Sequence, residues 1–282
     1  MENVSKWNLV IDVERCTNCH NCFLTIKDEY CENEFPGYSL PQPRHGHRWL
    51  NINKRERGSG SLMDVAYLPV TCNQCDNAPC VAKSNGAVLK RKDGIVVIDL
   101  ALSKGRKDIV DLCPYGHIWW NEELQIPQKW SWDAHLLDKG WKYPRPVSSC
   151  GSRAFQAFKL TDGEMDKKSK DEKLEVLRPE LNTRPRIWYK NLHRFKSEFI
   201  AGSVAFHLPD GREDCLEGAQ VKLSREGEVA SIQLTNYFGD FKFDHLGAHS
   251  GAYTLEISHG GKTLTETIDL DLSVNVGVRF LD

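Results

Sequence analysis

Cys72-Asn-Gln-Cys75-Asp-Asn-Ala-Pro-Cys80-Val-Ala-Lys-Ser84-Asn-Gly-Ala is the stretch on which the reading of this chain turns. Three cysteines spaced C-x2-C-x4-C and followed by an Asn-Gly turn make a loop that can wrap soft thiolates around a metal centre. Ten cysteines fall at 16, 19, 22, 31, 72, 75, 80, 113, 150 and 215, nine of them within the first 150 residues. A disulfide framework is the other use for so many, but clustered C-x2-C spacing without a secretory leader points to metal binding. The start of the chain has neither a basic region nor an apolar one, so no signal peptide is expected and a reducing cytoplasm is the expected compartment.

Two neighbouring stretches repeat the motif in part. Cys16-Thr-Asn-Cys19-His-Asn-Cys22-Phe-Leu-Thr-Ile26 follows a bacterial ferredoxin run, C-x2-C-x2-C-x3-C, with Ile26 in place of the last cysteine. The central run resembles another ferredoxin arm, with Ser84 at its fourth position. Cys113-Pro-Tyr-Gly resembles the end of a third run whose earlier positions hold Ser103, Arg106 and Ile109. A fourth run ends at Cys150, its cluster-building positions taken by Trp130, Asp133 and Pro146. Arg, Ile, Trp and Pro cannot ligate iron. Asp133 or His135 could in principle bind a metal, but the two tryptophans are better read as filling the volume of a cluster.

The four runs are complementary: two keep their first three cysteines, and two keep only the last. In paired ferredoxin halves each cluster takes three thiolates from its own loop and one from the end of a partner loop. That resemblance implies two [4Fe–4S] clusters, one on Cys16, Cys19, Cys22 and Cys150, the other on Cys72, Cys75, Cys80 and Cys113. Two zinc sites of four thiolates are the alternative, although C-x2-C-x2-C crowds three thiolates more than a usual zinc knuckle does. Cys31 and Cys215 stand outside the pattern as lone thiols.

With 282 residues the chain exceeds a usual single domain. It is 40% hydrophobic and 27% charged, a globular composition. Its 37 basic and 39 acidic residues give no electrostatic case for nucleic acid. No apolar run approaches the roughly 18 residues of a membrane span. Residues 8–13 and 94–99 read as strands, 36–60 as a solvated or partner-contacting loop that includes His45 and His47, and 162–175 as a solvated helix or loop. From about residue 198 the pattern changes to short β-rich segments near 199–207, 219–225, 228–235, 239–243, 252–258, 263–270 and 273–280, separated by Gly, Asp and Asn turns. Seven such strands read as a β-sandwich without a catalytic constellation.

Residues 1–196 resemble the iron–sulfur subunits that partner molybdopterin oxidoreductases of the dimethyl-sulfoxide-reductase family. Asp76-Asn-Ala-Pro-Cys80-Val, Asp93-Gly-Ile-Val-Val-Ile-Asp, Cys113-Pro-Tyr-Gly and Pro-Glu-Leu-x-Thr-x-Pro-Arg at 179–186 carry the resemblance. With the sandwich, Glu34-Phe-Pro-Gly-Tyr and His47-Arg-Trp, it narrows to the small subunits of polyphenol transhydroxylases and related phenol hydroxylases. The implied fold class is α+β: a ferredoxin-like double iron–sulfur domain over 1–196, then an all-β transthyretin- or carboxypeptidase-regulatory-like sandwich over 197–282. The implied function is electron transfer within a heterodimer whose large subunit holds molybdenum on bis-molybdopterin guanine dinucleotide and performs the catalysis, so this chain contributes no catalytic residue. Trp130, Asp133, Pro146 and Ile26 depart from the family's fuller ligand set, which implies a relay with an empty middle. A largely structural subunit, whose clusters staple the fold, is the second expectation.

Overall fold

The computed structural model describes residues 4–282; residues 1–3, part of the stretch read for a leader, lie outside it. The chain divides into two compact units, Met1–Asn53 with Tyr67–Leu192, and Lys54–Ala66 with His193–Asp282.

The first unit is built on β1 (Lys6–Asp12), where Trp7 to Asp12 are all buried. A strand buried on both faces belongs at a sheet centre. β1 lies there, antiparallel to β8 (Phe155–Leu160) and parallel to β9 (Ile187–Lys190). Between β1 and β8 the chain forms α1 (Asn21–Tyr30) and a hairpin of β2 (Leu50–Ser59) and β3 (Leu62–Thr71). Next come α2 (Pro79–Lys83), paired strands β4 (Val88–Lys90) and β5 (Val96–Ile98), and α3 (Asp108–Asp111). A second small hairpin, β6 (Trp119–Asn121) and β7 (Ile126–Gln128), precedes α4 (Ala134–Leu137) and α5 (Arg145–Ser149).

The charged segment after β8 is a helix, α6 (Asp162–Asp171), started by a capping box. Thr161 Oγ1 accepts from the Glu164 N–H at 3.3 Å, and the Glu164 carboxylate accepts from the Thr161 N–H at 2.8 Å. Its apolar residue Met165 is buried against Val10 and Leu174, and Asp162 at its start pairs with Lys6 at 2.8 Å and with Arg186 at 2.6 Å.

The second unit opens with α7 (His193–Lys196). One sheet is centred on β10 (Glu198–His207), which pairs with β11 (Glu213–Cys215), β14 (Asp240–Leu246) and β17 (Val274–Phe280). The other runs β13 (Glu228–Leu234), β12 (Gln220–Arg225), β15 (Gly251–His259) and β16 (Lys262–Leu270). Alternate residues of both sheets, among them Ile200, Phe243, Val221, Leu255 and Leu270, form one buried core. At Gly202 the strands approach so closely that a Cβ would lie 2.5 Å from Val276 Cγ2 and 2.9 Å from Phe241 Cζ.

Residues 50–59 correct the loop expectation for 36–60. They form β2, and its outer part belongs to the second unit. Lys54-Arg-Glu-Arg57 hides the strand because its charges mask any alternation. The Arg57 side chain is nonetheless fully buried, donating to Ser197 O at 2.7 Å, to Asp244 Oδ1 at 3.0 Å and to Asp64. Removing one partner of a buried ion pair leaves the other charge unsatisfied. Arg57→Ala should therefore destabilise the second unit by about 3 kcal/mol. That is the low end of the usual range, because Lys242 still reaches both carboxylates and Arg194 still reaches Asp64. A lowered urea midpoint at unchanged iron content is the expected readout.

Candidate metal centres

Cys16 and Cys19 lie on the loop between β1 and α1, and Cys22 lies in the first turn of α1. Left-handed backbone at Asn18 (φ 58°) and His20 (φ 61°) curls this loop, and the Asn18 and Phe23 amides donate to Cys16 and Cys22. Cys150 ends α5. α1 and α5 are tied by Thr25 Oγ1 donating to Ser149 Oγ at 2.9 Å and by Arg145 bridging to Asp28 and Glu29. The four thiols of this nest sit close enough to feel one another's charge. Burial pushes the Cys22 thiol up to about 12, helped by Cys16, Cys150 and Cys19, while the Phe23 N–H pulls the other way. Cys16 is raised for the same reasons, burial first. Cys19 is exposed, so this nest opens to solvent.

The second nest is more enclosed. Cys72 follows β3, Cys75 sits on the loop, Cys80 lies in α2, and Cys113 follows α3. These four cysteines line one cavity together with Asn73, Val96, Tyr115 and Ile118. Burial pushes Cys75 to about 12 and Cys80 to about 11, with repulsion from the other thiols adding to both. The His117 N–H points at Cys113 Sγ from 3.4 Å.

The 179–186 segment acts as a clamp on this loop. Its backbone accepts from the Asp76 and Asn77 amides through Arg184 O and Thr183 O, both at 3.0 Å, and the Arg186 N–H donates to Asn73 O at 2.8 Å. Burial raises the Asp76 carboxyl, but hydrogen bonds from Arg186 and the charge of Lys90 outweigh it, holding Asp76 well below the usual carboxylate range.

Both nests fit an iron–sulfur cluster. The raised thiols, Cys16 and Cys22 in the first nest and Cys75, Cys80 and Cys113 in the second, resist ionising unless a strongly positive centre lies among them, and a bound metal reverses that balance. Asn73 lines the second cavity with both side-chain polar atoms buried and unpaired. Among the described residues, no three His, Cys, Asp or Glu side chains converge tightly enough to hold a single metal ion. The four thiols of the second nest line a cavity instead.

The eroded runs are packed solid. Trp130, Trp132 and Asp133 are all completely buried. The Asp133 carboxylate accepts from Trp130 Nε1 at 2.7 Å, from the Arg145 N–H at 2.8 Å and from Tyr30 Oη at 2.9 Å. His135 contacts Glu29 through Nε2 at 2.7 Å and stacks on Phe35. In the third run Ser103 and Ile109 are buried, and Arg106 donates at 3.4 Å to the carbonyl of Ser84, itself buried at the end of the central run. His47 contacts Trp120 O at 2.9 Å, while His45 is exposed. Cys31 and Cys215 are free thiols outside both nests. Lys129 and Gln74, buried beside the second nest, are not legible in the sequence, where a lysine before a tryptophan carries no distinctive signal.

A family profile described as a 4Fe-4S dicluster domain matches residues 63–159. The pyrogallol hydroxytransferase small subunit of Pelobacter acidigallici is 47% identical over 278 residues, covering 97% of this chain and 98% of that one. A tetrathionate reductase subunit of Salmonella typhimurium is 30% identical over 195 residues, covering 66% of this chain and 73% of its own. The thiosulfate reductase electron transfer subunit of Salmonella typhi is 26% identical over 165 residues, covering 58% and 81%. Cysteine nests on a dicluster frame define the class, an iron–sulfur subunit. Within that class, the chain belongs to the family of pyrogallol hydroxytransferase small subunits.

Asp76 supplies a pH test of the clamp. A carboxyl depressed in the folded state stabilises fully above its unfolded value of about 3.9, and that contribution fades as pH falls toward the folded value. Asp76→Asn should cost about 2–3 kcal/mol at pH 7. Urea unfolding followed by tryptophan fluorescence should show the gap from wild type narrowing below about pH 4.

Proposed function

We propose that this chain is the electron-transfer subunit of a cytoplasmic heteromeric molybdenum enzyme that hydroxylates or transhydroxylates polyphenols. The single observation supporting it most is the gathering of eight cysteines from four runs into two nests of four, on a chain so similar to a pyrogallol hydroxytransferase small subunit. Cys16, Cys19, Cys22 and Cys150 would hold one [4Fe–4S] cluster, and Cys72, Cys75, Cys80 and Cys113 the other. A four-iron cluster, when bound, exchanges one electron at a time, at a potential set by hydrogen bonds to its sulfurs and by burial. Amides of Asn18, Phe23, Val81, Tyr115 and His117 supply such hydrogen bonds to the ligating thiolates. Cys72, Cys75 and Cys80 of the second nest are buried and Cys113 half-buried, while exposed Cys19 brings the first to the surface. The molybdenum and its bis-molybdopterin guanine dinucleotide belong to a large partner subunit, where the organic chemistry would occur. No helix of the described residues is long and apolar enough to cross a membrane.

A structural reading draws on one observation: Trp130, Trp132 and Asp133, in the run that ends at Cys150, are completely buried; without a cluster there the relay would be interrupted. In that case the clusters act chiefly as staples.

Iron and acid-labile sulfide analysis tests the assignment. The wild-type chain should carry about eight of each, the content of two four-iron centres. Cys72→Ala should lower both to about four while leaving the reduced EPR signal of the other centre. Loss of activity in that variant with normal assembly favours the electron-transfer role, whereas failed assembly favours the staple. About twelve iron would mean a third centre and an unbroken relay; zinc without sulfide would end the redox reading.

A further inference from the structure

Lys129 is 5% exposed and lies beside the cavity of the second nest. Its ammonium donates to Val96 O at 2.5 Å, and Val96 itself lines that cavity with the four cysteines. Its other polar partner is Gln74 Oε1 at 3.5 Å. Gln74 is wholly buried between Cys72 and Cys75, and its side chain also accepts from the Val96 N–H at 2.8 Å and donates to Trp130 O at 3.0 Å. These fixed contacts pin the ammonium against the cysteine loop.

Both acceptors are neutral. Among the described residues no carboxylate pairs with Lys129, whereas Lys90 of β4, which also donates to the cysteine loop at Gln74 O and Cys75 O, bonds Asp76 at 2.9 Å. A buried charge without a counter-charge is costly enough that proteins rarely retain one. The thiols that feel the Lys129 charge are Cys80 and Cys113, whereas no cation stands among the influences on Cys16 or Cys22.

We propose that Lys129 is the buried counter-charge of the cluster held by Cys72, Cys75, Cys80 and Cys113, and that it raises the reduction potential of that centre alone. The inference rests on the cluster assignment made above. A four-thiolate iron–sulfur group is net negative and gains one further negative charge on taking one electron, supplied by the partner enzyme or by a chemical reductant. A fixed cation in a low-dielectric site favours the more negative form, so it favours reduction. Lys129 is thus a positioning residue acting through charge, and it does not touch the organic substrate.

The test is a dithionite titration of the anaerobically purified full-length protein, with whatever large subunit co-purifies, following each EPR signal against potential. Lys129→Gln keeps a donor for Val96 O and removes the charge. With wild-type iron and sulfide retained, one signal should titrate at a more negative potential and the other should not move. Lys129→Arg should hold both at their wild-type values. Two unmoved midpoints in a fully loaded Lys129→Gln protein would overturn the proposal alone. If Lys129→Gln loses iron, Lys129→Arg decides: a retained centre at the wild-type potential supports the counter-charge, and a lost or shifted one overturns it. Wild-type protein without iron would overturn the cluster assignment, and this proposal with it, before any variant is made.

Discussion

Four thiols crowded into a buried pocket repel the charge each would take up, and this constraint governs the first unit. Burial and neighbouring sulfurs raise Cys22 and Cys75 to about 12, far from the thiolate form that iron requires. Much of the surrounding structure opposes that penalty. Left-handed residues turn amides toward sulfur, α1 is tied to α5, and the 179–186 clamp fixes the backbone of the Cys72 loop. The apolar elements hold these devices in place. β1 at the centre of its sheet starts the first loop, and β3 delivers the second.

The run that ends at Cys150 is filled by packed side chains. Trp130 and Trp132 supply volume, and Asp133 satisfies an indole N–H, a backbone amide and a phenol at once. Burial pushes that carboxyl up, while its three donors pull it down.

Cysteine spacing is a local property, so the two triads can be read directly from the chain. The fourth members cannot be assigned from spacing, because Cys113 and Cys150 are isolated in sequence and each joins its triad only through folding. Most sandwich strands are legible because their alternation is regular and their turns carry Gly, Asp or Asn. β2 is hidden because, beyond Leu50 at its start, its buried residue is Arg57, and a charge inside a strand erases the period that would announce it. The three-residue strands β6 and β7 and the nearby Lys129 are equally silent. Each depends on a partner far away in the chain, such as the Val96 carbonyl that Lys129 reaches.

The assignment of Lys54–Ala66 to the second unit bears on how the chain is made. During synthesis this segment leaves the ribosome well before the strands it joins. Arg57 and Asp64 must therefore wait, charged and solvated, while the cysteine-bearing region forms behind them. The sandwich is consequently not a tail that completes itself in isolation. Maturation of the two units is coupled by covalent order, and a cut at residue 197 would give a fragment lacking part of its own interior.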